Sequence, residues 1–120
     1  MANHNEVGKL GEQIAKKHLE KKGYRILDCN WTWGKGEIDL IATQNSILVF
    51  VEVKTRTKTT FGHPEEAVSE KKQNLMYELA TEYMYQIEHE EEFRFDIIAI
   101  ILQPKLEIKH FEDAFFPHWG

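Results

Sequence analysis

Cys29 is the only cysteine among the 120 residues. One thiol permits neither an internal disulfide nor a cysteine-based zinc site. With no motif around it, Cys29 reads as a small strand or strand-end residue, not as a nucleophile. The histidines, His4, His18, His63, His89, His110 and His118, lack metal-ligand spacing and read as structural or surface groups. No apolar stretch approaches the ~18 residues that a membrane span needs. The start, Met-Ala-Asn-His-Asn-Glu, lacks the basic and apolar regions of a signal peptide. A cytoplasmic protein with no membrane partner is the expectation. Internal repeats, low-complexity segments and linkers are missing. So is an excess of positive charge: 15 Lys and Arg stand against 20 Asp and Glu, a net charge of −5 that argues mildly against indiscriminate nucleic-acid binding.

What the chain does have is enough apolar material, 42% of its residues, for one core, and a length that fits one domain over 1–120. Its charge is uneven. Residues 1–60 hold ten Lys and Arg against seven Asp and Glu, whereas residues 61–120 hold five against thirteen. Basic groups therefore gather around Lys54, Arg56 and Lys58, with Lys71 and Lys72 as additions. An ordinary mixed-charge surface and a phosphate-facing patch both fit that distribution.

The rest is organised around Gly36 to Arg56. It reads Gly-Glu-Ile-Asp-Leu-Ile-Ala, a polar break at Thr43-Gln44-Asn45-Ser46, then Ile-Leu-Val-Phe-Val-Glu-Val-Lys-Thr-Arg. Two strands joined by a tight turn are predicted. In the second strand Leu48, Phe50, Glu52 and Lys54 share one face by the two-residue alternation of strand side chains. With Asn45 and Ser46 as the central turn residues, Gln44 faces Ile47 and the ladder brings Asp39 opposite Glu52, with Cβ atoms roughly 4.5–5.5 Å apart. Facing carboxylates among apolar neighbours destabilise a ladder unless something compensates them. Mg²⁺ or Mn²⁺, which accepts one or two protein carboxylates together with substrate phosphates, meets that requirement. Lys54 on the same face could orient or help deprotonate an attacking water, or stabilise charge on a phosphate. An isolated Asp or Glu-x-Lys is most often a turn cap or an exposed strand end. The joint pattern points to the site.

Gly36-Glu37-Ile38-Asp39-Leu40-Ile41-Ala42 followed by Phe50-Val51-Glu52-Val53-Lys54-Thr55-Arg56 resembles the bacterial YraN-type family of uncharacterised proteins, within the PD-(D/E)xK nuclease superfamily and related in fold to archaeal Holliday-junction resolvases. The resemblance covers nearly the whole chain. It includes Gly8-x-x-Gly11-Glu12, Gly23-Tyr24, Asn30-Trp31, Phe61-Gly62, Ala67-Val68-Ser69-x-x-Lys72-Gln73, Arg94-Phe95-Asp96 and Ala114-Phe115. The superfamily's proline before the acidic residue is replaced here by Ile38. The resemblance implies a restriction-endonuclease-like α/β fold, a mixed β-sheet flanked by helices. It also implies a divalent-metal-dependent nuclease acting on DNA, including branched DNA in repair or recombination. A non-catalytic nucleic-acid-binding module on the same fold is the alternative, because a fold outlives its chemistry. Asp39, Glu52 and the carbonyl of Val53 would hold the metal and Lys54 would assist. Glu12 and Gln73 are carried over from family positions. Resolvase relatives are dimers, so the resemblance leaves room for a homodimer, although nothing in the sequence fixes an interface.

The remaining pattern gives the element order α-β-β-β-α-β-β. A helix over about 5–22 has Val7, Leu10, Ile14, Ala15 and Leu19 as its apolar stripe and Gly23 as its stop. Gly8 and Gly11 inside it cost ~1 kcal/mol each relative to alanine, which suggests a close approach by another element or by a substrate. Tyr24–Asn30 reads as a strand. Trp31 is expected to be buried, and an exposed Trp33 could stack on bases beside a phosphate held by Lys35. Residues 55–63 read as a polar, basic loop beside the site, with Arg56 and Lys58 as phosphate contacts. Pro64 is expected to open a short turn through Val68. Ser69 then caps a helix to about His89, with Leu75, Met76, Leu79, Ala80, Tyr83 and Ile87 on its inner face and Lys72 and Gln73 near its anion-attracting start. His89–Glu92 reads as a solvated acidic loop. Phe93–Leu102 reads as a strand buried on both faces, with Arg94 and Asp96 as a structural ion pair. Leu106–His110 reads as a half-exposed strand, and Phe115, Phe116 and Trp119 as an aromatic tail covering the sheet edge.

Overall fold

Both helices among the described residues start where a side-chain oxygen caps them. In the computed structural model, which describes residues 3–58 and 68–116, Asn3 Oδ1 accepts from the Glu6 N–H at 2.9 Å and opens α1 (His4–Lys21). Ser69 Oγ accepts from the Lys72 N–H at 3.2 Å and opens α2 (Glu70–Gln86). Each oxygen satisfies an amide that a helix start leaves without an intrahelical partner. Gly23, at φ 89°, supplies the left-handed residue that ends α1. Among the described residues no helix is long and apolar enough to cross a membrane.

Among the described residues five strands, β1 (Arg25–Trp33), β2 (Gly36–Gln44), β3 (Ile47–Arg56), β4 (Phe93–Ile101) and β5 (Glu107–Phe115), form one sheet in chain order. All neighbours pair antiparallel except β3 and β4, which are parallel and connected through α2. A parallel pair needs such a crossover because a tight turn cannot return the chain in the same direction. The expected mixed sheet with flanking helices, in the order α-β-β-β-α-β-β, is the architecture found.

The alternation of each central strand divides the core in two. Leu48, Phe50, Phe95 and Ile97 pack with Met76, Leu79, Ala80 and Tyr83 of α2. Val49, Val51, Ile98 and Ile100 pack with Ala15 and Leu19 of α1. The sheet therefore lies between the helices, and β4 is buried on both faces as its apolar run predicts. Gly36 lets α2 come down onto β2, since a Cβ there would stand 2.6 Å from Leu79 Cδ1.

Several expectations shift at the edges. Leu10 is 46% exposed, Leu75 37% and Ile87 45%: Leu10 and Leu75 lie on the flanks of their helices, beside the buried Gly11 and Met76, and Ile87 follows the last turn of α2. α2 stops at Gln86 instead of near His89 because Glu88, at φ 56°, turns the chain and His89 N–H returns to the Met84 carbonyl at 2.9 Å. β1 runs on through Trp33, beyond the expected end at Asn30. Trp31 is partly buried edge-on against Tyr83, with ring centroids 5.1 Å apart, while Trp33 is 51% exposed. β5 extends to Phe115, where the aromatic tail was expected, and Phe115 stacks on Phe95 at 5.2 Å. Phe116 meets Tyr77 and Phe93. The loop beyond Lys58, the Pro64 turn and Trp119 lie outside the described residues. Arg94 and Asp96 do form an ion pair at 3.0 Å, within a network in which His110 Nε2 contacts Asp96 at 2.7 Å.

Candidate functional site

The turn between β2 and β3 sets the geometry of everything below it. Asn45 and Ser46 both have positive φ, 54° and 67°, as a two-residue hairpin turn with the twist of the strands requires. Gln44 pairs with Ile47, and the register continues to Leu40 opposite Val51. There the ladder stops, one step before Asp39 would face Glu52. The Asp39 side chain enters the gap instead, and its Oδ2 accepts from the Val53 N–H at 2.8 Å. The two carboxylates predicted to meet are thus brought together where the strands part.

Glu52 is 4% exposed, and its carboxylate is paired with Lys72 Nζ of α2 at 3.2 Å. None of the ion pairs among the described residues involves Asp39. Burial, followed by the Glu52 charge, pushes the Asp39 carboxyl up to about 8, against the opposing effect of the Val53 N–H. A proton shared with Glu52 relieves two crowded carboxylates, and a cation would relieve them in its place.

A third and a fourth carboxylate approach from the α1 side. Oxygens of Glu12, Glu37 and Asp39 all lie within 4.8 Å of one another. The Asn30 amide donates to Glu12 Oε1 and to Glu37 Oε1, both at 3.0 Å, and so holds the first two side by side. Asn30 does this from a left-handed backbone, φ 51°, which asparagine tolerates better than most residues. Glu12 reaches the site because Gly11 is buried against β3, where a Cβ would overlap the Thr55 hydroxyl. Glu37 and Asn30 were not among the residues expected to build the site. The signal for Glu37 was its two-residue step from Asp39; for Asn30 it was an asparagine at the end of an apolar strand.

These groups open into a groove of about 720 Å³ between the start of α1 and the end of β3, lined by Glu12, Asp39, Glu52, Val53, Lys54 and Arg56 among others. Lys58 follows, exposed, just past β3. Lys72 is occupied with Glu52. Gln73 Nε2 donates to the Val68 carbonyl at 3.0 Å and is engaged with the backbone before α2. Lys35 stands exposed in the β1–β2 turn, outside the lining of this groove. A larger hollow of about 930 Å³, between the end of α2 and the loop before β4, is lined by Glu88, Glu90 and Glu91. Its acidic rim suits phosphates poorly.

Comparison with known proteins adds a family. A model described as "Uncharacterised protein family UPF0102" matches residues 11–100. A UPF0102 protein of Flavobacterium psychrophilum is 48% identical over 117 residues, covering 97% of this chain and 98% of the relative. One from Alkaliphilus oremlandii is 45% identical over 114 residues, covering 92% and 97%. One from Flavobacterium johnsoniae is 44% identical over 121 residues, covering 97% and 98%.

Proposed function

The chain belongs to the uncharacterised protein family UPF0102, the YraN-type family its motifs resemble, and from that premise we propose that it is a divalent-metal-dependent nuclease acting on DNA phosphodiesters. The observation that carries the reading is Asp39: a carboxylate raised to about 8, in contact with a second buried carboxylate and outside every ion pair among the described residues, at the mouth of a groove. The donor set fits a hard cation, since it consists of carboxylate oxygens, with Val53 in the lining of the same groove. Asp39, Glu52 and the Val53 carbonyl would hold Mg²⁺ or Mn²⁺, with Glu12 adjoining. Bound there, the ion would act as a Lewis acid on the phosphodiester and make water a better nucleophile.

The chain's own residues supply the rest. Lys54 lines the groove beyond Glu52 and offers an ammonium to charge that develops on the phosphate. Arg56 and Lys58 follow along the same edge and hold neighbouring phosphates. The Val53 N–H fixes Asp39 before substrate arrives. Hydrolysis is an in-line displacement: a water oxygen bonds to phosphorus as a P–O ester bond breaks, and the departing oxygen takes up a proton. Glu12 is close enough to Asp39 to share the handling of that water's proton, a role in which the Asn30 amide, itself held by Glu37, keeps its carboxylate oriented.

One observation favours a second reading, a module that binds nucleic acid without cutting it. Lys72 already places a cation against Glu52. The test is a Mn²⁺ titration of the parent beside Asp39→Asn and Glu52→Gln, followed by a cleavage screen over linear, single-stranded and four-way-junction DNA. Saturable binding lost in both variants, with cleavage lost in step, is the expected result. Mn²⁺ binding absent with and without DNA would sink the enzyme reading. DNA affinity that is kept or raised in Asp39→Asn, with no parental cleavage, would establish the binding module.

A further inference from the structure

The fold accounts for only one of the two glycines in the first half of α1. Gly11 is required by packing, because its missing Cβ is the space that Thr55 occupies. Gly8 lies one turn earlier in the same stripe, three residues from Gly11 and seven from Ala15, both of which are buried. A Cβ on Gly8 would meet nothing within 4 Å among the described residues. Its backbone does not demand glycine either: among the described residues the positive-φ glycines are Gly23 and Gly34, and Gly8 sits inside a regular helix. Helix fraying is no explanation, since Asn3 caps the start and the Val7 N–H closes the first turn on the Asn3 carbonyl at 3.1 Å. Alanine would suit an isolated helix better at this position.

The open space at Gly8 faces the groove. Gly8, with His4 and Val7, forms one wall, and Asp39, Glu52, Lys54 and Arg56 line the same hollow. The α1 stripe therefore changes its role along its length. Where it lies over β3 it is covered by protein, and one turn nearer the N-terminus it runs beyond the sheet and borders the carboxylates.

We infer that Gly8 is the point of closest approach between the protein and the substrate strand: the sugar–phosphate backbone of a nucleic acid lies against the bare face of the first two turns of α1, and the absent side chain is the clearance that lets a phosphate reach Asp39 and Glu52. This rests on the reading of the groove as a phosphodiester site. Gly8 touches no reacting group in this account. Its contribution is the distance at which the strand is held, and a displacement of about 1 Å at a reacting centre costs on the order of 100-fold in rate.

The test compares full-length Gly8→Ala and Gly8→Leu with the parent in three measurements: thermal unfolding, Mn²⁺ titration, and binding of labelled duplex, single-stranded and four-way-junction DNA at low salt in Ca²⁺, with kcat and KM for any DNA that is cleaved in Mn²⁺. Both variants should unfold at or above the parental Tm and titrate Mn²⁺ as the parent does. DNA affinity should fall about fivefold in Gly8→Ala and about fiftyfold or more in Gly8→Leu, a size-graded loss accompanied by a fall in kcat for any DNA that is cleaved. DNA binding equal to the parent in both variants would overturn the inference and leave the groove's function standing. A lowered Tm in Gly8→Ala would also overturn it, by making the glycine structural. A parent that binds none of the DNAs would overturn the function on which the inference rests.

Discussion

At Asp39 two requirements oppose each other: the ladder would be more stable with a neutral group, and a cation site needs a carboxylate. The carboxyl is raised to about 8 in the fold from an ordinary value of 3.8, so the folded protein binds the extra proton across the interval between them. Stability from this group is present in full below about pH 4 and is lost as pH rises to about 8. Asp39→Asn should therefore raise the Tm at pH 8, by a gain on the order of a few kcal/mol that shrinks towards pH 4. Thermal unfolding across that range measures it, and a constant difference would place the effect elsewhere. Saturating Mn²⁺ at pH 8 should raise the Tm of the parent alone, by about 2.7 kcal/mol of stability at 100 times Kd. At this scale the two central carboxylates were legible because strand alternation and a two-residue turn are local rules. Lys72 on Glu52 was not, because its approach depends on how α2 lies on the sheet.

Helix α1 brings Glu12 to the site only by lying close on the end of β3, and Gly11 is the position that permits this. Gly11→Ala gains helix propensity but forces a methyl into Thr55, and overpacking of this kind should prevail with a net loss of about 1–2 kcal/mol. Thr55→Ala removes the overlapping hydroxyl and should recover part of that loss in the double variant, as urea unfolding of the four proteins would show. Independent, additive effects would mean that the helix relaxes away from the strand without cost. Gly8→Ala, one turn away, is expected to do the opposite. The sequence shows that two glycines weaken this helix, but only the packed fold tells which one has a neighbour. The same distinction explains the strands. The β2–β3 register was readable from Asn45-Ser46. The length of β5 was not, because its bulge is pinned from β4: the partner of the strand jumps from Phe115 to Phe111 while the Asp113 N–H donates to Asp96 Oδ1 at 3.0 Å.

Over the whole molecule, charge is arranged along α2. Lys71 and Lys72 are in its first turn, where Lys72 pairs with Glu52 of the groove, and Glu88, Glu90, Glu91 and Glu92 follow its other end. Glu70 in the first turn suits the helix dipole, whereas the two lysines beside it and the glutamates after the last turn do not. A helix of 17 residues separates the poles by about 25 Å, some three Debye lengths at physiological salt. The acidic end should then be nearly invisible to a phosphate at the groove, and the net charge of −5 should say little about affinity. The uneven halves of the sequence already indicated this, although only the fold sets the distance between them. Replacing Glu90, Glu91 and Glu92 together with glutamine should change DNA affinity less than about twofold at 150 mM salt. Lys58→Ala, which removes a single charge at the groove, should weaken binding several-fold and make the slope of log K against log salt shallower by about 0.9. Anisotropy titrations between 50 and 200 mM salt would measure both variants. Should the glutamine triple tighten binding as much as the lysine change weakens it, the strand would be sensing the summed charge of the molecule instead of one edge, and the groove would lose its claim to be where the phosphates lie.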